Sequence, residues 1–181
     1  METIWTIGHS TRNADEFIGA LQAHGIRLVA DVRLLPGSKR YPHFNAEALA
    51  GSLGAHGIRY EHFRELGGRR KPRPDSHNTA WRVEAFRGYA DYMETPEFAA
   101  GIERLLTLAH AVGPTALMCA EAVWWRCHRG LIADFLKARG IDVRHIAGPG
   151  PTELHPWTTA ARLVERELTY GADDPPARVT D

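Results

Sequence analysis

Apolar residues fall in short blocks along this chain, and the blocks alternate between two periods. Thr3 to Ile7 is a β-branched apolar run closed by Gly8, the pattern of a buried strand. Phe17, Ile18 and Leu21 repeat at helical spacing between Asp15 and His24, behind Asn13 as a candidate N-cap, and Gly25 ends the run. Arg27 to Arg33 (RLVADVR) predicts a second strand. Strand, helix and strand within about 30 residues make a βαβ unit, whose two strands must be parallel.

The alternation continues. Asn45 is placed to cap a short helix from Ala46 to Ala55, and Ile58 to Phe63 predicts a third strand. Arg69 to Ala80 (RRKPRPDSHNTA) is the longest irregular stretch, of a length that is usually functional or disordered. Phe86 to Tyr92 has helical spacing; Thr95-Pro96 starts a longer helix that runs to about Ala111, before Gly113-Pro114. Thr115 to Ala120 predicts a fourth strand, Leu131 to Arg139 a helix, Ile141 to Ile146 the last strand, and Thr158 to Thr169 a final helix. From Gly171, with Pro175-Pro176, the composition predicts a disordered tail. The expectation is one α/β domain over residues 1–170, followed by a tail over 171–181. Its architecture would be three layers: a mostly parallel sheet of about five strands with helices on both faces.

Composition narrows the class of protein. The 181 residues are 44% hydrophobic, enough for one substantial core, and the formal net charge is zero. No global field therefore draws in nucleic acid or membrane, and any such contact must be local. Two cysteines make no disulfide framework and fit a reducing cytoplasm. No stretch near Met1 reads as a signal peptide and no run has the roughly 20 apolar residues of a membrane span, so a cytoplasmic protein is expected.

Reactive residue types gather just past the C-terminal ends of the predicted strands. His9 and Ser10 follow the first, Asp31 and Arg33 end the second, and Arg64 and Glu65 follow the third. Cys119 and Glu121 follow the fourth, ahead of Arg126, Cys127, His128 and Arg129, and His145 lies near the end of the last. In a parallel sheet these ends share one edge, where such folds bind their ligands.

The ordered motifs TIGHSTR, ADVRLLPGS, IRYEHFRELGG, AFRGYADYM, ALMCAE with CHR after it, and VRHI resemble those of the family known as domain of unknown function 488. The likeness covers roughly Thr3 to Ile146. It implies an α/β fold with its site at this edge, and supplies no reaction.

Three readings of the edge follow. In the first, the chain is an enzyme whose crevice binds a small anionic or nucleotide-like substrate. Arg33, Arg64, Arg126 and Arg129 would supply the guanidinium forks, beside His9, Ser10 and His145. Glu121, Asp31 and His128 would move protons or orient the substrate, with Cys119 and Cys127 lining the site; Asp31 has the alternative role of orienting Arg33 or Arg129. In the second, Arg69 to Arg73 and Trp124-Trp125 hold nucleic acid, although tandem tryptophans can equally close the crevice or pack in a homo-oligomer interface. The third is thiol chemistry at Cys119 or Cys127, with a loose likeness to rhodanese-type sulfurtransferases and Cys-dependent phosphatases. The Cys119-to-Arg126 loop departs from those: it is too long, lacks glycine, and carries Glu121 and two tryptophans. The C-x7-C-H spacing matches no established metal-ligand pattern, so no metal site is assigned, and no cofactor is identified.

Overall fold

A computed structural model of the chain describes residues 1–178. Its sheet has six strands in the order β3-β2-β4-β1-β5-β6, formed by β1 (Thr3–Gly8), β2 (Leu28–Asp31), β3 (Arg59–His62), β4 (Thr115–Cys119), β5 (Asp142–Ile146) and β6 (Glu153–Leu154). The first five are parallel; the two-residue β6 is antiparallel to β5 and extends the expected five strands. Helices α1 (Ala14–Ala23) and α2 (Ala46–Gly54) cover one face, and α3 (Glu84–Tyr92), α4 (Pro96–Val112) and α5 (Arg129–Ala138) the other.

The period-two pattern of the strands explains how both faces are filled. Val29, Ala116, Met118 and Ile7 pack with Phe17, Leu21, Leu49 and Leu53 of α1 and α2. Their neighbours Ala30, Leu117, Ile4 and Val143 pack with Phe98, Ile102, Leu105, Leu131 and Leu136 of α4 and α5. Strands buried on both sides read as continuous apolar runs, as β2 and β4 do. The connection leaving β1 goes to one face and the connection leaving β4 to the other, while β1 and β4 are neighbours. The crevice at a topological switch point therefore opens at their C-terminal ends.

Local signals behave as their chemistry requires, with one reassignment. The Asn13 side chain accepts from the Glu16 N–H at 2.8 Å while the Glu16 carboxylate accepts from the Asn13 N–H at 3.2 Å, a complete capping box. Thr95 caps α4, with Pro96 in its first turn. Asn45 stands at the N-cap of α2 but spends its side chain elsewhere, accepting from the Ser38 N–H at 2.5 Å and bracing the 34–45 loop.

Two expectations at the C-terminal end are corrected. The segment expected as a helix over Thr158 to Thr169 is instead a hairpin, β7 (Arg162–Val164) paired with β8 (Glu167–Thr169). Glu165 and Arg166, both at positive φ, form its two-residue turn, the geometry that matches strand twist. Leu168 packs on the core and Tyr170 is buried in it, two residues apart rather than three or four. Residues 171–178, expected to be disordered, return beside β7: Leu163 N–H donates to the Pro175 carbonyl and Ala177 N–H to the Ala161 carbonyl, each at 3.0 Å. Residues 179–181 of that expected tail lie outside the described residues.

The long stretch from Arg69 to Ala80 is organised on one buried carboxylate. Asp91 of α3 accepts from the Arg73 N–H (2.8 Å), the Ser76 hydroxyl (2.6 Å) and the Asn78 amide (2.7 Å). Among the described residues, no helix is long and apolar enough to cross a membrane.

Candidate functional site

The loop after β4 folds over the end of β1, and a glycine makes this possible. His9 N–H donates to the Cys119 carbonyl at 2.9 Å and Ser10 N–H to that of Ala120 at 3.0 Å, carrying the β1–β4 pairing past the sheet. A Cβ on Gly8 would stand 1.7 Å from the Glu121 carbonyl oxygen, so only glycine lets the loop cross there. Beside this crossing opens a crevice of about 660 Å³.

Cys119, the last residue of β4, and Cys127 meet in the crevice wall with their sulfurs 2.6 Å apart; both are free thiols. Cys127 follows a 3₁₀ turn at Trp124–Arg126 and has extended backbone, so its side chain turns back toward Cys119 instead of continuing into α5. Its sulfur receives the Arg129 N–H at 3.4 Å and lies 3.6 Å from Nδ1 of His128. Nε2 of His128 is 2.9 Å from the Val32 carbonyl, which can only accept. Nε2 therefore carries a ring proton, and Nδ1 is the nitrogen placed to take the Cys127 proton. A Cβ on Gly68 would stand 2.9 Å from that Nδ1, so this glycine makes room for the imidazole.

The two thiols are driven apart in acidity. Burial alone would raise Cys127, but the hydrogen bond from Cys119 and the proximity of His128 and Arg129 hold it well below the usual thiol range. Cys119 is pushed well above that range, first by burial and then by its bond to Cys127. Cys127 also precedes the start of α5, where the helix dipole favours a thiolate. The adjacent Cys127 and His128 thus cooperate, which a shared helix would have prevented.

Arg33 forms the facing wall. Its Nε and one Nη bind the two oxygens of Asp31 at 2.9 and 2.7 Å, and that Nη also donates to the Phe44 carbonyl at 2.7 Å. The other Nη lies 3.5 Å from Nε2 of His9, whose Nδ1 faces the Ser10 carbonyl at 2.9 Å. Asp31 is fully buried and also accepts from the Tyr60 hydroxyl at 2.6 Å. It orients Arg33 and does not line the crevice, the alternative role the sequence allowed it.

The remaining expected site residues divide. Ser10, Glu121 and Arg126 line the crevice together with His9, Arg33 and His128. Arg64 is exposed elsewhere, while Arg129 and His145 are buried behind the site, so none of these three lines the crevice. Arg129 instead donates to the Glu121 carbonyl at 2.7 Å, pinning the crossing loop, and to the Thr6 hydroxyl at 3.3 Å.

Thr6 begins a buried chain that sequence reasoning missed. Its hydroxyl is 2.6 Å from Nδ1 of His145; Nε2 of His145 is 2.9 Å from Nδ1 of His155; Nε2 of His155 is 2.9 Å from Asp134. The carboxylate can only accept, so with one proton per ring every bond runs from Arg129 toward Asp134. Asp134 was visible only as a charge inside the apolar run LIADFL. His155 carried no signal.

Burial, His155 and Arg129 lower the pKa of His145 to about 2. Between that value and the unfolded histidine value of about 6.5, the unfolded chain binds a proton that the folded chain refuses. Stability is therefore complete above pH 6.5 and falls as the pH drops, by about 2 kcal/mol at pH 5 from this group alone. Denaturant unfolding at pH 7.5 and pH 5 checks this. A loss that is unchanged in His145→Asn would remove His145 as its cause.

Three residues of the nucleic-acid reading make contacts within the chain. Trp124 stacks on His145 at 4.8 Å, Arg70 lies 3.7 Å over the Tyr92 ring, and Arg73 pairs with Glu94 at 2.5 Å. Trp125 is 53% exposed. Among the described residues, no group of three or more His, Cys, Asp or Glu side chains is disposed to hold a metal ion.

Among known protein families, the model described as domain of unknown function DUF488 matches residues 13–136. No curated protein matches the chain, and no solved structure does. The matched span holds both cysteines, His128, Arg33 and Asp134, and leaves out His9, His145 and His155. Since the model spans well over half of the 181 residues, the chain belongs to the DUF488 family.

Proposed function

We propose that this chain is an enzyme that uses Cys127 as a thiolate nucleophile on a small anionic substrate held in the crevice. The observation that carries this reading is the setting of Cys127 Sγ, which faces Nδ1 of His128, a ring whose Nε2 is anchored to the Val32 carbonyl, and receives an N–H from Arg129. A nucleophile beside a base whose other nitrogen is anchored is the general arrangement for covalent catalysis. His128 takes the thiol proton, the sulfur attacks an electrophilic centre, and the imidazolium returns the proton to the leaving group.

The charge of the walls supports the anion. Arg33, Arg40, Arg69 and Arg126 line the crevice against one carboxylate, Glu121. Arg33 is neutralised by Asp31, which leaves Arg126 at the rim as the guanidinium nearest in sequence to the nucleophile.

Two alkylating agents of similar size test both parts together. Ordinary thiolates react faster with neutral iodoacetamide than with anionic iodoacetate. At pH 6 and low salt Cys127 should reverse that order, and Arg126→Ala or high salt should restore it. Slow reaction with both reagents would remove the thiolate. An ordinary order would remove the anion site.

A further inference from the structure

We propose that Cys119 and Cys127 are a thiol–disulfide couple, and that the chain reduces small anionic disulfides at the wall of its crevice. The proposal rests on Cys127 being the nucleophile, and adds the electrophile it attacks and the fate of the second thiol.

The geometry of Cys119 points to a resolving thiol. Its sulfur is 2.6 Å from that of Cys127, about 0.5 Å more than a sulfur–sulfur bond, so the two thiols already stand side by side for exchange. A cysteine present only for packing needs no such contact, and one present only to supply a hydrogen bond need not share the crevice wall. The chain has two cysteines in all, so no third thiol competes for either partner. The seven-residue connection between them is pinned at both ends. The Gly8 crossing fixes its start, and Arg129, bonded to the Glu121 carbonyl and to Cys127 Sγ, fixes the other end. Cys127 faces the base and the arginines, while Cys119 ends β4 with its hydrogen-bonding reach limited to Cys127 and the Glu121 carbonyl.

The chemistry balances in two steps. The Cys127 thiolate attacks one sulfur of the substrate disulfide. A bond from Cys127 to that half forms, the substrate sulfur–sulfur bond breaks, and the departing thiolate takes the proton held on His128. Cys119 then attacks Cys127 Sγ. The second half leaves as a thiolate and takes up the proton that Cys119 gives up, and the Cys119–Cys127 disulfide remains. One disulfide has become two thiols, and the two electrons have come from the protein dithiol. An external dithiol reductant returns the protein to its starting state by the same exchange in reverse.

The dianionic aromatic disulfide dithiobis-nitrobenzoate is a suitable probe, because each thionitrobenzoate released is coloured and each one retained adds mass. The reduced full-length chain should release two per molecule, keep none, and lose two hydrogens in mass. Cys119→Ser and Cys119→Ala should each release one and keep one, attached at Cys127. Excess dithiothreitol should restore the wild-type mass. Two outcomes overturn the proposal separately. If Cys127 reacts rapidly but the wild type keeps its adduct as the Cys119 variants do, the couple fails and the nucleophile stands. If Cys127 does not react in any of the three chains, both fail.

Discussion

Replacing Cys127 by serine should leave a folded chain whose alkylation at pH 6 falls by at least about 10³-fold, while Cys119→Ser keeps the rapid reaction. The asymmetry is the informative part. The two sulfurs touch and are almost equally buried, so accessibility alone predicts similar behaviour. The electrostatic surroundings differ instead. His128 and the Arg129 N–H both address Cys127, and Cys119 has only the other sulfur and a distant carbonyl. The base can be moved without touching either thiol. Gly68→Ala puts a methyl group 2.9 Å from Nδ1 of His128 and within 3.3 Å of two ring carbons, so the imidazole must shift from its place beside Cys127. The pH at which Cys127 alkylates should then rise, slowing the reaction at pH 6 by about tenfold for each pK unit. Unfolding by denaturant should change little, since the imidazole has open space on the crevice side. Equal reactivity of the Cys119 and Cys127 variants, or a Gly68→Ala chain as fast as wild type, would contradict the assignment.

What the sequence disclosed about this site was its place. Apolar blocks ending in His9, Arg33 and Cys119 are enough to put those residues on one edge, because parallel strands leave no other arrangement. It did not disclose which of them touch. The pairing of Cys119 with Cys127 depends on Cys127 having extended backbone between a 3₁₀ turn and α5, and no periodicity reports a single residue's φ and ψ. The same holds for Asp31. Its D-V-R spacing is compatible with catalysis or with orienting Arg33, and only the Tyr60 and Arg33 bonds decide between them. The 162–169 hairpin escaped for a different reason. Its strands are three residues long, too short for alternation to stand out, and its turn uses Glu165 and Arg166 where glycine or asparagine would have signalled it.

Asp134→Ala should destabilise the fold by about 3–5 kcal/mol, the range for stripping one partner from a buried, hydrogen-bonded charge network. For a chain of this size that is a fall of roughly 6–20 °C in melting temperature. The carboxylate is fully buried and satisfies four donors: the Thr158 N–H at 3.0 Å, its hydroxyl at 2.5 Å, His155 Nε2 at 2.9 Å and the Tyr170 hydroxyl at 2.9 Å. Alanine leaves all four without an acceptor in a site that water does not reach, and the penalty for such orphaned groups exceeds the worth of the bonds themselves. Asparagine fills the same space but turns one acceptor into a donor facing donors, so Asp134→Asn should recover little. The loss should also be local before it is global. Thr158 and Tyr170 flank the 162–169 hairpin, so amide exchange in residues 158–170 should accelerate well below the melting temperature while β1 and β4 stay protected. Glu121→Ala, an exposed carboxylate in the crevice wall, serves as the comparison and should change stability by less than about 0.5 kcal/mol. A melting temperature for Asp134→Ala within 2 °C of wild type would mean that the donors find other partners. The chain from Arg129 to Asp134 would then be a consequence of the packing around it, and the pinning of the Glu121 carbonyl by Arg129 would have to stand without it.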